Sequence, residues 1–125
     1  MKHIIFLFFF FLISFNSFSQ SVYSTDYNRT KLTAKPTADS KNLPLLLYHP
    51  NDMYSESFQH ETKGRSILVV GHSNTINVFA NKVLGIEKYN QISDDNNSNL
   101  YIVTVIDEKV SSTLLKFLSI LRIAS

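Results

Sequence analysis

Apolar residues in this chain fall in short runs separated by polar, turn-forming stretches, and the sharpest change of pattern comes at residue 71. Ser66-Ile67-Leu68-Val69-Val70 is short, aliphatic and flanked by Gly64 and Gly71, as expected of a strand buried on both faces of a sheet. Beyond it the period lengthens. Ile76, Phe79, Val83 and Leu84 mark one face of a helix, with Ser73 or Asn74 as N-cap and Gly85 as the stop. An earlier segment repeats the pattern: a short strand around Val22, a polar loop, then a helix over residues 30–40 disturbed by Pro36. Residues 42–51 read as a loop that carries Leu43, Leu45, Leu46, Leu47 and Tyr48 back over the core, and residues 55–63 as a polar helix closed by Gly64. Residues 87–99 form a polar connection. Residues 100–106 and 110–117 then predict two strands joined by Asp107-Glu108-Lys109, a hairpin that closes the sheet. Strands alternating with helices define an α/β chain.

The amino terminus has a different character. Lys2 and His3 precede an apolar run from Ile4 to Ile13, and Ser17 and Ser19 are small residues suited to a cut before Gln20. This is the pattern of a secretory signal peptide over residues 1–19, which directs the remainder, residues 20–125, to the periplasm or the exterior. An uncleaved anchor is the competing reading, but the strictly apolar run is short against the roughly 20 residues a bilayer span needs. No stable membrane span is therefore expected once the leader is removed.

Charge and composition narrow the partners. Twelve Lys and Arg stand against ten Asp and Glu, a formal net charge of +2 that falls by one when Lys2 leaves with the leader. Nucleic-acid binding needs a concentrated basic footprint, and none is present. There are no cysteines, so thiol chemistry and thiolate metal sites are excluded, and the four histidines lack ligand spacing, so neither a metal nor another cofactor is expected.

The chemistry-bearing residues lie where the period changes. His72 sits where a strand's carboxyl end meets a helix amino end, the edge at which open α/β sheets collect ligands. Arg29 occupies the equivalent strand-to-helix position in the earlier segment. A guanidinium grips phosphate oxygens bidentately, so an arginine and a histidine at one sheet edge make a natural site for a phosphoryl group.

Two motifs carry a family resemblance. Ser24-Thr25-Asp26-Tyr27-Asn28-Arg29-Thr30, followed by Thr33-Ala34, resembles the second phosphate-binding arginine motif of the histidine phosphatase, or phosphoglycerate mutase-like, superfamily. Val69-Val70-Gly71-His72-Ser73-Asn74-Thr75 resembles its second-histidine motif, and the separation of 43 positions suits the small phosphohistidine-phosphatase-like members. The stretch from Asp94 to Val105 is similar to the approach and last core strand of that family. The resemblance implies a three-layer α/β/α sandwich and hydrolysis of a phosphomonoester or phosphohistidine through a phosphohistidine intermediate. Arg29 and His72 would bind the phosphate, and His72 would take part in catalysis.

The departure from the family is equally specific. Its nucleophile lies in an Arg-His-Gly motif after the first core strand, and this chain has no such motif. With residues 1–19 read as a leader, the match begins in mid-fold: the first strand and helix have no sequence to occupy, and residues 20–125 form an incomplete domain. A deletion, a reading-frame error or a reduced, non-catalytic phosphate-binding relative would each account for this. His49 and His60 are nominal replacement nucleophiles, and Asp52, Glu56 and Glu61 nominal acids for the leaving group, though each also reads as a solvated surface residue. Lys31, Lys35 and Lys41 form either a phosphate-attracting rim or a solvated helix face. The ligand implied is a phosphorylated small molecule or the phosphate anion itself. The apolar tail over residues 119–125 has no functional reading.

Overall fold

The computed structural model describes residues 2–5, 20–96 and 98–116. In chain order the elements are β1 (Lys2–Ile5), β2 (Gln20–Ser24), α1 (Asn28–Ser40), β3 (Leu45–Leu47), a 3₁₀ turn (Pro50–Asp52), α2 (Glu56–Thr62), β4 (Ser66–Val70), α3 (Ile76–Leu84), β5 (Asn99–Ile106) and β6 (Lys109–Lys116). The strands form one mixed sheet in the order β3-β2-β4-β1-β5-β6. Strands β3, β2, β4 and β1 run parallel, and β5 and β6 complete the sheet as an antiparallel pair.

Period-2 alternation along β4 decides how the layers form. Ile67 and Val69 point into a cluster with Phe58 of α2 and Phe79, Ala80 and Val83 of α3. Leu68 and Val70 point the other way, against Val22, Ala34 and Ala38. Both faces of β4 are thus covered, which explains its uninterrupted apolar sequence. On one side α1 offers only small residues, Thr30, Ala34 and Ala38, and comes close to the sheet. On the other side aromatic rings fill the space: Phe58 lies 5.0 Å from Tyr23 and 5.3 Å from Phe79, ring centre to ring centre. Phe79 is fully buried, and its truncation to alanine would cost about 3–5 kcal/mol.

Several boundaries differ from the sequence expectation, each for a local reason. Pro36 lies inside α1 without ending it, because its ring is exposed and the backbone partner it gives up belongs to the exposed Leu32. The stretch expected as a loop contains β3, whose Leu45, Leu46 and Leu47 pair in parallel with Val22, Tyr23 and Ser24. Three leucines without alternation carry no strand period, and it is the neighbour that makes them a strand. The helix cap at α3 is Thr75 rather than Ser73 or Asn74, while Gly85 ends that helix in the left-handed region at φ 74°. The hairpin turn is Asp107-Glu108, one residue shorter than expected, and Asp107 at φ 54° takes the place a glycine would otherwise fill.

The largest difference lies in the middle of the sheet. Lys2–Ile5, within the stretch expected as a leader, form a strand there, with His3 and Ile4 in register with Ser66 and Ile67 on one side and residues 2–5 antiparallel to 102–105 on the other. A gap there would leave the hydrogen-bonding edges of β4 and β5 unpaired. The remainder of the expected leader, its cleavage site and the tail over residues 119–125 lie outside the described residues. Among the described residues no helix is long and apolar enough to cross a membrane.

Candidate functional site

Strands β2 and β4 are neighbours and run parallel, so their carboxyl ends deliver Thr25 and His72 to the same edge. The ladder extends one step past β2, where the Thr25 amide donates to the Val70 carbonyl at 3.3 Å. The chain then turns into α1, placing Arg29 in its first turn. After Gly71 the β4 chain turns as well. The Thr75 and Ile76 amides donate to the His72 carbonyl at 3.0 and 2.9 Å, and the His72 amide donates to Thr75 Oγ1 at 3.2 Å. These bonds anchor the backbone of His72 ahead of α3.

Both ring nitrogens of His72 are engaged. Arg29 Nη2 lies 3.0 Å from Nδ1, and Thr25 Oγ1 lies 2.9 Å from Nε2. A guanidinium has donors only, so Nδ1 must present its lone pair and the ring proton must sit on Nε2. Nε2–H then donates to Thr25 Oγ1, which donates to Thr30 Oγ1 at 2.9 Å. The single Thr30 hydroxyl proton is shared between the backbone carbonyls of Thr25 and Tyr27, each 3.0 Å from Oγ1. The chain of donors runs in one direction, and buried Thr25 and Thr30 hold it. The edge of one ring against the face of the other sets Tyr27 at 4.7 Å from the imidazole centre. Burial, and after it the Arg29 guanidinium, hold His72 below the ordinary histidine value, so the neutral ring is favoured.

The site opens on a cavity of about 770 Å³. Its lining includes Arg29, Gly71, His72 and Asn74 together with Gln91, Asp94 and Asn96. Among the described residues Asp94 is the sole acidic one in that lining, and Ser73 Oγ donates to its carboxylate at 2.9 Å. Gly71 is constrained by space, because a Cβ there would stand 2.6 Å from the hydroxyl of Tyr48. That hydroxyl is buried and has no hydrogen-bond partner among the described residues, and burial pushes its pKa well above the ordinary phenol value.

Of the residues proposed from sequence, the structure brings Arg29 and His72 into contact. The nominal replacement groups are elsewhere. His49 accepts from the Asn51 amide at the 3₁₀ turn, His60 is exposed on α2, and Asp52, Glu56 and Glu61 are exposed outside the cavity lining. Lys31 and Lys35 form surface ion pairs with Asp26 and Asp39 at 2.7 and 2.5 Å, and neither they nor Lys41 line the cavity. Sequence reasoning missed Thr25, Thr30 and Asp94. Thr25 carried only the weak signal of directly continuing β2. Asp94, 22 residues after His72 in a polar connection, carried none. Among the described residues no group of three or more His, Asp or Glu is arranged to hold a metal ion.

Comparison with protein-family models, with curated proteins and with solved structures returns no match for this chain.

Proposed function

We propose that the Arg29–His72 edge is a phosphate-binding pocket in a histidine phosphatase-like protein, taking the phosphoryl group of a small phosphorylated molecule or the free anion. One observation carries this reading: two strand-to-helix junctions 43 residues apart in sequence bring a guanidinium within 3.0 Å of an imidazole at the mouth of a cavity. The exposed guanidinium can turn its donors from His72 to phosphate oxygens without leaving the first turn of α1, where the helix dipole also favours an anion. The layering of helices on both faces of a sheet with β1 inside it is compatible with the sandwich that the sequence motifs imply, and the motifs add phosphomonoester or phosphohistidine hydrolysis as the reaction class.

A binding-only role is the second reading. It is favoured by the sequence that follows β1, where residues 6–13 are all Phe, Leu or Ile and offer no histidine nucleophile. Calorimetric titration of the full chain with inorganic phosphate tests the pocket itself. Saturable binding that weakens by about 1.5–3 kcal/mol in Arg29→Ala, the scale of hydrogen bonds to a charged partner, is the expected result. Equal binding in both proteins would remove the reading.

A further inference from the structure

Resting on the phosphate-binding reading above, we infer that His72 is itself the nucleophile of a phosphoryl-transfer reaction, attacking through Nδ1. The argument begins with the direction of the hydrogen bonds. Arg29 donates into Nδ1, so that atom holds a lone pair, and it faces a guanidinium suited to hold phosphoryl oxygens. The opposite nitrogen is occupied, since Nε2–H is held at 2.9 Å by Thr25, whose hydroxyl is in turn committed to Thr30. A nucleophilic imidazole needs this division, one nitrogen free to attack and the other fixed by an acceptor that orients the ring. When Arg29 moves onto a bound phosphoryl group, the Nδ1 lone pair is released at the place where phosphorus arrives.

The step balances without an acid from the protein for a donor that carries its own leaving-group proton. Asp94, a carboxylate in the cavity lining, accepts from Ser73 rather than touching His72, so the donor class is an N-phosphoryl compound, whose leaving nitrogen arrives protonated. With phosphoramidate, the Nδ1 lone pair forms a new bond to phosphorus as the bond to the ammonium nitrogen breaks, and ammonia departs with that electron pair. The phosphorylated ring is an imidazolium whose proton stays on Nε2, hydrogen-bonded to Thr25 Oγ1. Water then attacks phosphorus, the nitrogen–phosphorus electrons return to Nδ1, and dihydrogen phosphate leaves. Arg29 offsets charge on the phosphoryl oxygens in both steps.

The test treats the full chain with phosphoramidate and looks for an alkali-stable, acid-labile phosphoryl adduct by peptide mass spectrometry, with its ring position assigned by phosphorus NMR. The inference expects the adduct on Nδ1 of His72 in the wild type and in the exposed-surface control His60→Asn, and its loss in His72→Gln. Thr25→Val keeps side-chain shape but removes the acceptor for Nε2–H, so the preference for Nδ1 over Nε2 should collapse in that variant even where folding is unchanged. A purely structural role for Thr25 would leave the isomer ratio alone. An adduct on Nε2, or on another residue, overturns the inference. Calorimetry on the same preparations separates the two ideas: phosphate binding without any adduct overturns the nucleophile and leaves the pocket, whereas absence of both overturns the pocket as well.

Discussion

Arg29 Nη2 stands 3.0 Å from His72 Nδ1, and because a guanidinium cannot accept, this contact determines the tautomer of the imidazole. The proton is placed on Nε2, towards Thr25, and the second nitrogen is left as an acceptor facing the cavity. Protonating Nδ1 would set two donors against each other, so the same contact that orients the ring also resists its charging.

The pH dependence follows with a definite sign. Burial first and Arg29 second hold the folded-state value of His72 below the usual 6.5. Between the two values the unfolded chain binds more protons than the folded one, so stability rises with pH there. The contribution of the neutral ring is complete above 6.5 and is lost as pH falls through the lower folded-state value. An NMR titration of the His72 ring should show a midpoint below the ordinary value that moves part of the way back in Arg29→Ala, since burial remains. The acid limb of stability should become shallower in the same variant.

Gly71 and Tyr48 form a coupled pair. Gly71→Ala puts a Cβ 2.6 Å from the Tyr48 hydroxyl and forces the ring away from its edge-on contact with Phe79, 5.6 Å between centres. The expected cost is about 1–3 kcal/mol, the usual range for overpacking. Tyr48→Phe removes a buried hydroxyl that has no partner among the described residues, so by itself it should be close to neutral or slightly stabilising. In that background Gly71→Ala should cost clearly less than alone. Chemical denaturation of the four proteins of the cycle measures the coupling.

Strand β1 and a cleaved leader are mutually exclusive. A cut before Gln20 removes Lys2–Ile5 and leaves β4 and β5 without a neighbour between them. The six-stranded sheet therefore predicts that a chain deleted for residues 1–19 loses cooperative thermal unfolding followed by circular dichroism, and that amino-terminal sequencing of the folded protein finds residues 2–5 still attached. A deleted chain that unfolds as cooperatively as the full one would instead favour the cleaved export signal.

How much of this was legible in the sequence depended on whether a segment's own period decided its structure. The run Ser66–Val70 and the helix after it were readable because apolar spacing changes sharply at Gly71, and the hairpin because two β-rich runs flank a short polar turn. Leu45–Leu47 and Lys2–Ile5 were not, since each becomes a strand only by pairing with a neighbour far away in sequence. In the site, Arg29 and His72 were visible from their places at the two junctions. Thr25 was not singled out, because a threonine after a strand is common and its role depends on the ring it faces across β2 and β4. Asp94 reaches the cavity through a loop whose path no local pattern encodes.

The most direct measurement is nitrogen NMR of the full chain with ring-labelled histidine, titrated with inorganic phosphate. In the free protein His72 should report the Nε2–H tautomer, and phosphate should produce a saturable change centred on Nδ1 as Arg29 turns from the ring to the anion, a change abolished in Arg29→Ala. A free-state ring with its proton on Nδ1, or a phosphate response identical in wild type and Arg29→Ala, would contradict the account.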